Sequence, residues 1–153
     1  MDPIKLLKDD HKKVKALFRE FEAAGDRAHQ KKQKIAEQVF TELEVHTTIE
    51  EEIFYPALQA KADKEGKELV AEANEEHHVV DLLIKEIKGL EPQDEAYVAK
   101  FTVLIENVEH HIEEEEGEML PDAQKTLGDQ LDQLGERMMA RKQDLMASIG
   151  APA

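Results

Sequence analysis

Two stretches of this chain repeat one another without a gap, and that repeat restricts what it can fold into more than any other feature. His46-Thr-Thr-Ile-Glu50-Glu-Glu-Ile-Phe-Tyr-Pro56 aligns with His111-Ile-Glu-Glu-Glu115-Glu-Gly-Glu-Met-Leu-Pro121, so that in both copies glutamate follows histidine by four and proline follows that glutamate by six. The segments upstream match as well. His11 is followed by Val14, Leu17 and Phe21, and His77 by Val80, Leu83 and Ile87, at the same offsets of three, six and ten. His11 precedes His46 by 35 residues, and His77 precedes His111 by 34. Self-similarity of this kind marks a supersecondary unit used twice.

Apolar residues recur at helical spacing through both units. A first amphipathic helix is expected from the Asp2-Pro3 N-cap pair to Gly25, with Ile4, Leu7, Val14, Leu17, Phe18 and Phe21 inward. A second runs from about Gln30 to Ala62 with a bend at Pro56, a third from near Gly66 to Gly89, and a fourth from Pro92 to about Leu120, where Pro121 bends or ends it. Short connections between long helices force antiparallel neighbours. The fold class is therefore all-α, an up-down-up-down antiparallel four-helix bundle with an additional C-terminal helix. That last segment follows Gly128 and places Leu131, Leu134, Met138, Leu145 and Ile149 at helical spacing, as a fifth helix packing on the bundle or as a dimer seam.

The repeat gives the histidines a geometric meaning. Each His pair flanks its turn at comparable distance, and at about 1.5 Å per residue the heights within a pair agree to roughly a turn or two, so all four can reach one level of the core. Residues four apart share a helix face, so His46 points with Glu50 and His111 with Glu115. Two imidazoles and one carboxylate from each hairpin, meeting by pseudo-twofold symmetry, suit two metal ions bridged by carboxylates. The candidate ligands are His11, His46, Glu50, His77, His111 and Glu115. Imidazole with carboxylate favours iron, with manganese or zinc as substitutes; a structural zinc is the competing reading of the same residues. His78, His110 and Glu114 have no ligand-type counterpart in the other copy and are read as surface or outlying groups, as is His29.

Composition removes several alternatives. The net charge of −15 opposes binding to phosphate backbones and to anionic membranes. With no cysteine, neither disulfides nor thiolate-bound metals can contribute. The start of the chain lacks the apolar run of a signal peptide, and no stretch approaches membrane-spanning length, so a cytoplasmic location is expected.

Over roughly residues 1 to 125 these residues resemble the hemerythrin HHE cation-binding family, whose pattern is His, HxxxE, His, HxxxE across four helices. The flanking Asp-His-Lys-Lys-Val-Lys-Ala-Leu-Phe, Glu-Glu-Ile-Phe-Tyr-Pro and His-His-Ile-Glu-Glu-Glu-Glu stretches carry the resemblance too. It implies a hemerythrin-like HHE domain, taken as residues 1–127; the amphipathic segment at 128–150, read from its own spacing, is the helix packed on that bundle. The resemblance further implies a non-haem di-iron centre, two Fe ions with bridging oxo or hydroxo, both glutamates as bridges, and dioxygen, hydrogen peroxide (catalase-like turnover) or nitric oxide as the small-molecule ligand. An iron or oxygen sensor, whose metal occupancy controls a partner-binding surface, is the alternative. A monomer or weak homodimer is expected.

One departure from the oxygen-carrying members of that family bears on function. They carry HxxxH on the third helix and aspartate five after the fourth-helix histidine, whereas here Asp81 follows His77 by four and Glu116 follows His111 by five. A more carboxylate-rich site points away from reversible carriage and toward redox turnover or sensing. Asp81 keeps two readings, an exposed helix-face acid or an extra or water-bridged ligand. Tyr55 stands beside Pro56 in one copy only, as a proton or hydrogen-bond donor near the metals or as a core tyrosine with a wet hydroxyl. Glu51, Glu52, Glu113, Glu114, Glu116 and Glu118 are read as solvated helix faces, and Phe54 and Met119 as apolar walls.

Overall fold

Helix α1 (Pro3–Ala23) begins where Asp2 accepts the Ile4 amide at 2.9 Å and Pro3 occupies the first turn, a position that needs no N–H. The computed structural model describes residues 1–150. The next helices are α2 (His29–Ile49), α3 (Tyr55–Lys61), α4 (Lys64–Lys88), α5 (Glu95–Glu114), α6 (Leu120–Leu127) and α7 (Leu131–Ser148). Helices α2 and α3 form one continuous rod joined by a π-helical turn at Glu50–Phe54, and α5 and α6 form another joined at Glu115–Met119. The bundle is all-α, with four long rods in which α1 lies along α2 and α4 along α5.

The two prolines do not end their rods: each sits just after a π-helical turn through which the helix continues. Proline lacks the N–H that closes an i→i−4 bond, and the chain absorbs the defect by widening the turn just before it. The Tyr55 amide reaches back five residues to the Glu50 carbonyl, and the Leu120 amide does the same to Glu115. The consequence is rotational. Five residues of regular α-helix turn through about 500°, which would carry Tyr55 roughly 140° off the Glu50 face. The extra residue of the π turn restores alignment between i and i+5, so Tyr55 and Leu120 both point inward and are 1% exposed.

The starts of α4 and α5 also differ from the glycine and proline signals at residues 66 and 92. Asp63 caps α4 by accepting the Gly66 amide, and Asp94 caps α5 by accepting that of Ala96, both at 2.9 Å. A carboxylate that satisfies an orphan amide outranks a nearby Pro or Gly as a start signal. Replacing Asp63 by alanine is expected to cost about 1 kcal/mol, read by calorimetry as a fall of about 2–4 °C in melting temperature for a chain of this length.

Two apolar cores flank a polar middle layer. One, near the hairpin turns, gathers Phe18, Phe21, Phe40, Ile87, Phe101 and Leu104, with Phe21 stacked on Phe101 at 4.0 Å between ring centroids. The other, near the prolines, gathers Leu7, Ile49, Phe54, Leu58, Val70 and Leu120, and is completed by Leu134 and Met138 of α7. Helix α7 lies against α1, α2 and the first π turn. Gly135 permits this approach: a Cβ there would stand 2.0 Å from the Met1 carbonyl oxygen. Among the described residues no helix is long and apolar enough to cross a membrane.

Candidate metal centre

Between the two cores the structure brings together His11 from α1, His46 and Glu50 from the second rod, His77 from α4, and His111 and Glu115 from the fourth rod. All six are buried, with Glu50 at 0% and Glu115 at 1% exposure. His11 and His46 pack as one pair, ring centroids 5.0 Å apart, and His77 and His111 as the other, at 4.9 Å. Glu50 and Glu115 lie between them. Glu50 Oε1 stands 3.3 Å from His46 Nε2 and 3.1 Å from His77 Nε2. Glu115 offers Oε1 to His11 Nε2 and Oε2 to His111 Nε2, each at 3.2 Å. Ligand-type atoms thus fall into two groups, His11, His46, Glu50 and Glu115 in one and Glu50, His77 and His111 in the other, with the atoms of each within 4.8 Å of one another.

Each ring is held from behind by an acid. The Nδ1 of His11 bonds Glu116 at 2.6 Å, that of His46 bonds Asp10 at 2.8 Å, that of His77 bonds Glu51 at 3.0 Å and that of His111 bonds Glu76 at 2.6 Å. With Nδ1–H donated outward, each Nε2 lone pair faces the centre, the arrangement in which a carboxylate fixes the tautomer and raises the basicity of a ligating imidazole. The pattern obeys the repeat. Asp10 and Glu76 each precede an inner histidine in sequence and hold the other histidine of their own hairpin, while Glu51 and Glu116 each follow an inner glutamate and reach across to the opposite hairpin. Sequence reading placed Glu51 and Glu116 on solvated faces. They are partly exposed, at 43% and 33%, yet engaged. The signal available was their matched position in the two copies.

The orphaned atoms test whether this cluster fits a metal. The buried Nε2 of His11 and His46, both oxygens of Glu50 and Oε1 of Glu115 make no hydrogen bond within the protein, although they stand close together. Leaving so many buried polar atoms unsatisfied is costly, and converging lone pairs of imidazole and carboxylate are the donor chemistry of a cation such as iron, manganese or zinc. The residues fit. The charges agree: burial lowers the pKa of His46, but Glu50 and Asp10 more than offset it, so that without a cation the ring is held well above its ordinary value. Burial likewise opposes charging of His111, which Glu115 and Glu76 push up to about 10. Burial raises Glu115, while His11 and His111 bring it well below the carboxylate range.

Tyr55 belongs to this layer, and its hydroxyl is dry. It donates to Glu115 Oε2 at 2.6 Å and lies 3.3 Å from His77 Nε2 and 3.4 Å from His111 Nε2. Burial, then the charges of Glu50 and Glu115, hold its pKa well above the phenol value. Leu120 takes the equivalent place in the other copy, so the hydroxyl serves one half of the site only. Asp81 is not brought in: its exposed carboxylate shares a surface cleft with Glu51, and burial and Glu51 raise its pKa. His78 is exposed, and exposed His110 pairs with Glu114 at 2.9 Å. Phe54 and Met119 are buried, and Met119 lines a narrow crevice with Leu69, Ala73, Glu76, His111 and Glu115, with room for about one water molecule.

A four-helix bundle with a buried imidazole–carboxylate cluster between its hairpins defines a metal-binding helical protein. The chain belongs to the hemerythrin HHE cation binding domain family, which it matches over residues 2–123. It is 25% identical over 121 residues to an uncharacterised hemerythrin-like protein of Schizosaccharomyces pombe, covering 79% of this chain and 59% of that one. It is also 26% identical over 150 residues to a DNA nickase of Nostoc, covering 97% of this chain and 41% of that protein. The chain therefore spans little more than half, or less, of these two relatives. The crystal structure of a hemerythrin HHE cation binding domain-containing protein from Mycobacterium kansasii superimposes with a TM-score of 0.82 at 26% identity, over 97% of this chain and 89% of that one.

Proposed function

We propose that this protein holds two iron ions between its hairpins and uses them to bind or turn over dioxygen, hydrogen peroxide or nitric oxide. The observation that carries the reading is the set of orphaned, converging lone pairs backed by four outward Nδ1–carboxylate bonds. One position would be held by His11 and His46, the other by His77 and His111, with Glu50 and Glu115 shared. When bound, iron supplies one-electron redox chemistry and open coordination positions.

The chain's own contribution is placement and proton control. The four outer acids fix the ring orientations, so little reorganisation is needed when charge changes at the centre. Phe54 and Met119 keep bulk water away. Tyr55 holds a proton at its hydroxyl on the His77–His111 side, 3.3 Å from His77 Nε2 and 3.4 Å from His111 Nε2. Protein shown by mass spectrometry to carry two irons is expected to absorb in the near ultraviolet and visible and to evolve oxygen from hydrogen peroxide, followed with an oxygen electrode. Full iron occupancy with no response to peroxide, dioxygen or nitric oxide would refute the reactive reading.

A further inference from the structure

The two halves of the centre match in their inner histidines and glutamates; they differ in Tyr55, whose hydroxyl lies on the His77–His111 side, and in what stands behind the rings. Asp10, 5% exposed, accepts from His46 Nδ1 through Oδ2 at 2.8 Å and from Lys142 Nζ through Oδ1 at 2.7 Å. Lys142 comes from α7, outside the repeat, and its side chain is 15% exposed. At the symmetry-related place, Glu76 accepts from His111 Nδ1 at 2.6 Å, and among the described residues no lysine or arginine pairs with it. Its neighbour is another acid, Glu114, with His110 beside them. The asymmetry has a plain cause. Helix α7 packs on α1, α2 and the first π turn, and so lies on the Asp10–His46 side of the centre.

We infer that Lys142 is a positioning residue for the metal centre, which acts through Asp10 and His46 to make the His11–His46 position a weaker cation site than the His77–His111 position. The inference rests on the metal-centre reading above. A carboxylate that accepts from a ligating imidazole makes that imidazole a better donor. Asp10 divides its charge between His46 and an ammonium, so it strengthens His46 less than Glu76 strengthens His111. The ammonium also repels a divalent cation directly, and its partial burial limits screening. Both effects have the same sign. The His77–His111 position fills first, and the C-terminal helix sets the interval between the two binding steps.

The test is a calorimetric titration of the metal-free full chain with cobalt(II), read in parallel by its visible absorption. Wild type is expected to bind in two resolved steps. Lys142→Met should strengthen the weaker step by roughly tenfold, the order expected for one partly screened charge near the ligand, and draw the steps together. Lys142→Arg, which keeps the cation, should retain the wild-type interval. So should Arg141→Met, which removes the neighbouring α7 ion pair to Glu52 and so controls for helix docking. Lys142→Gln provides a second neutral variant, and circular dichroism melting of each metal-free protein reports whether α7 stays docked. An unchanged or weakened second step in both neutral variants, with wild-type melting, overturns the role of Lys142 alone. Wild-type protein that binds no cobalt overturns the metal-centre reading beneath it.

Discussion

Replacing Glu50 by alanine is expected to weaken cation binding at both positions, by about a hundredfold or more at each, because this carboxylate belongs to both groups of ligand atoms. Losses in the outer layer alone cost about 10–100-fold in comparable sites, and Glu50 touches the cation directly in the proposed arrangement. The outer acids supply the contrast. Glu51→Gln should weaken only the position that uses His77, and Asp10→Asn only the one that uses His46, since each carboxylate holds a single ring. Binding isotherms with manganese(II) or cobalt(II) separate these outcomes. Equal and small effects of Glu50→Ala and Glu51→Gln would mean that Glu50 is not shared.

Removing the metal should lower stability steeply. Ligands that bind the folded chain alone add RT ln(1 + [L]/Kd), about 2.7 kcal/mol per site when free ion exceeds Kd a hundredfold. Two sites give about 5 kcal/mol, or roughly 10–20 °C in melting temperature for a chain of this size. The metal-free protein is nonetheless expected to fold, because the two apolar cores on either side of the centre do not depend on it and protonated His46 and His111 partly neutralise Glu50 and Glu115. Scanning calorimetry with and without a strong chelator checks the shift. An unchanged melting temperature after verified metal loss would show that the cluster does not bind in the buried layer.

The duplicated histidine and glutamate spacing made the hairpins, the helical class and the six inner residues legible from sequence, because a repeat fixes register where a single motif does not. The consequences of proline were less legible. Helical periodicity marks Pro56 and Pro121 as defects, but whether a helix kinks, ends or widens depends on which amides can find carbonyls, and here the π turns solve that problem and rotate Tyr55 inward. The links from Glu51 to His77 and from Glu116 to His11 run between hairpins, where spacing along one helix carries no information. The contact from Lys142 to Asp10 spans 132 residues and lies outside the repeat altogether. The caps at Asp63 and Asp94 carry an ordinary N-cap signature in the sequence, beside the Gly66 and Pro92 signals that set the expected starts.

Anomalous X-ray diffraction from crystals of the iron-loaded protein, collected at the iron edge, bears most directly on the central claim. The account predicts two peaks per chain in the buried layer, one beside His11 and His46 and one beside His77 and His111, with Glu50 and Glu115 between them. A single peak, or iron found only at surface carboxylates such as Glu114, would contradict it.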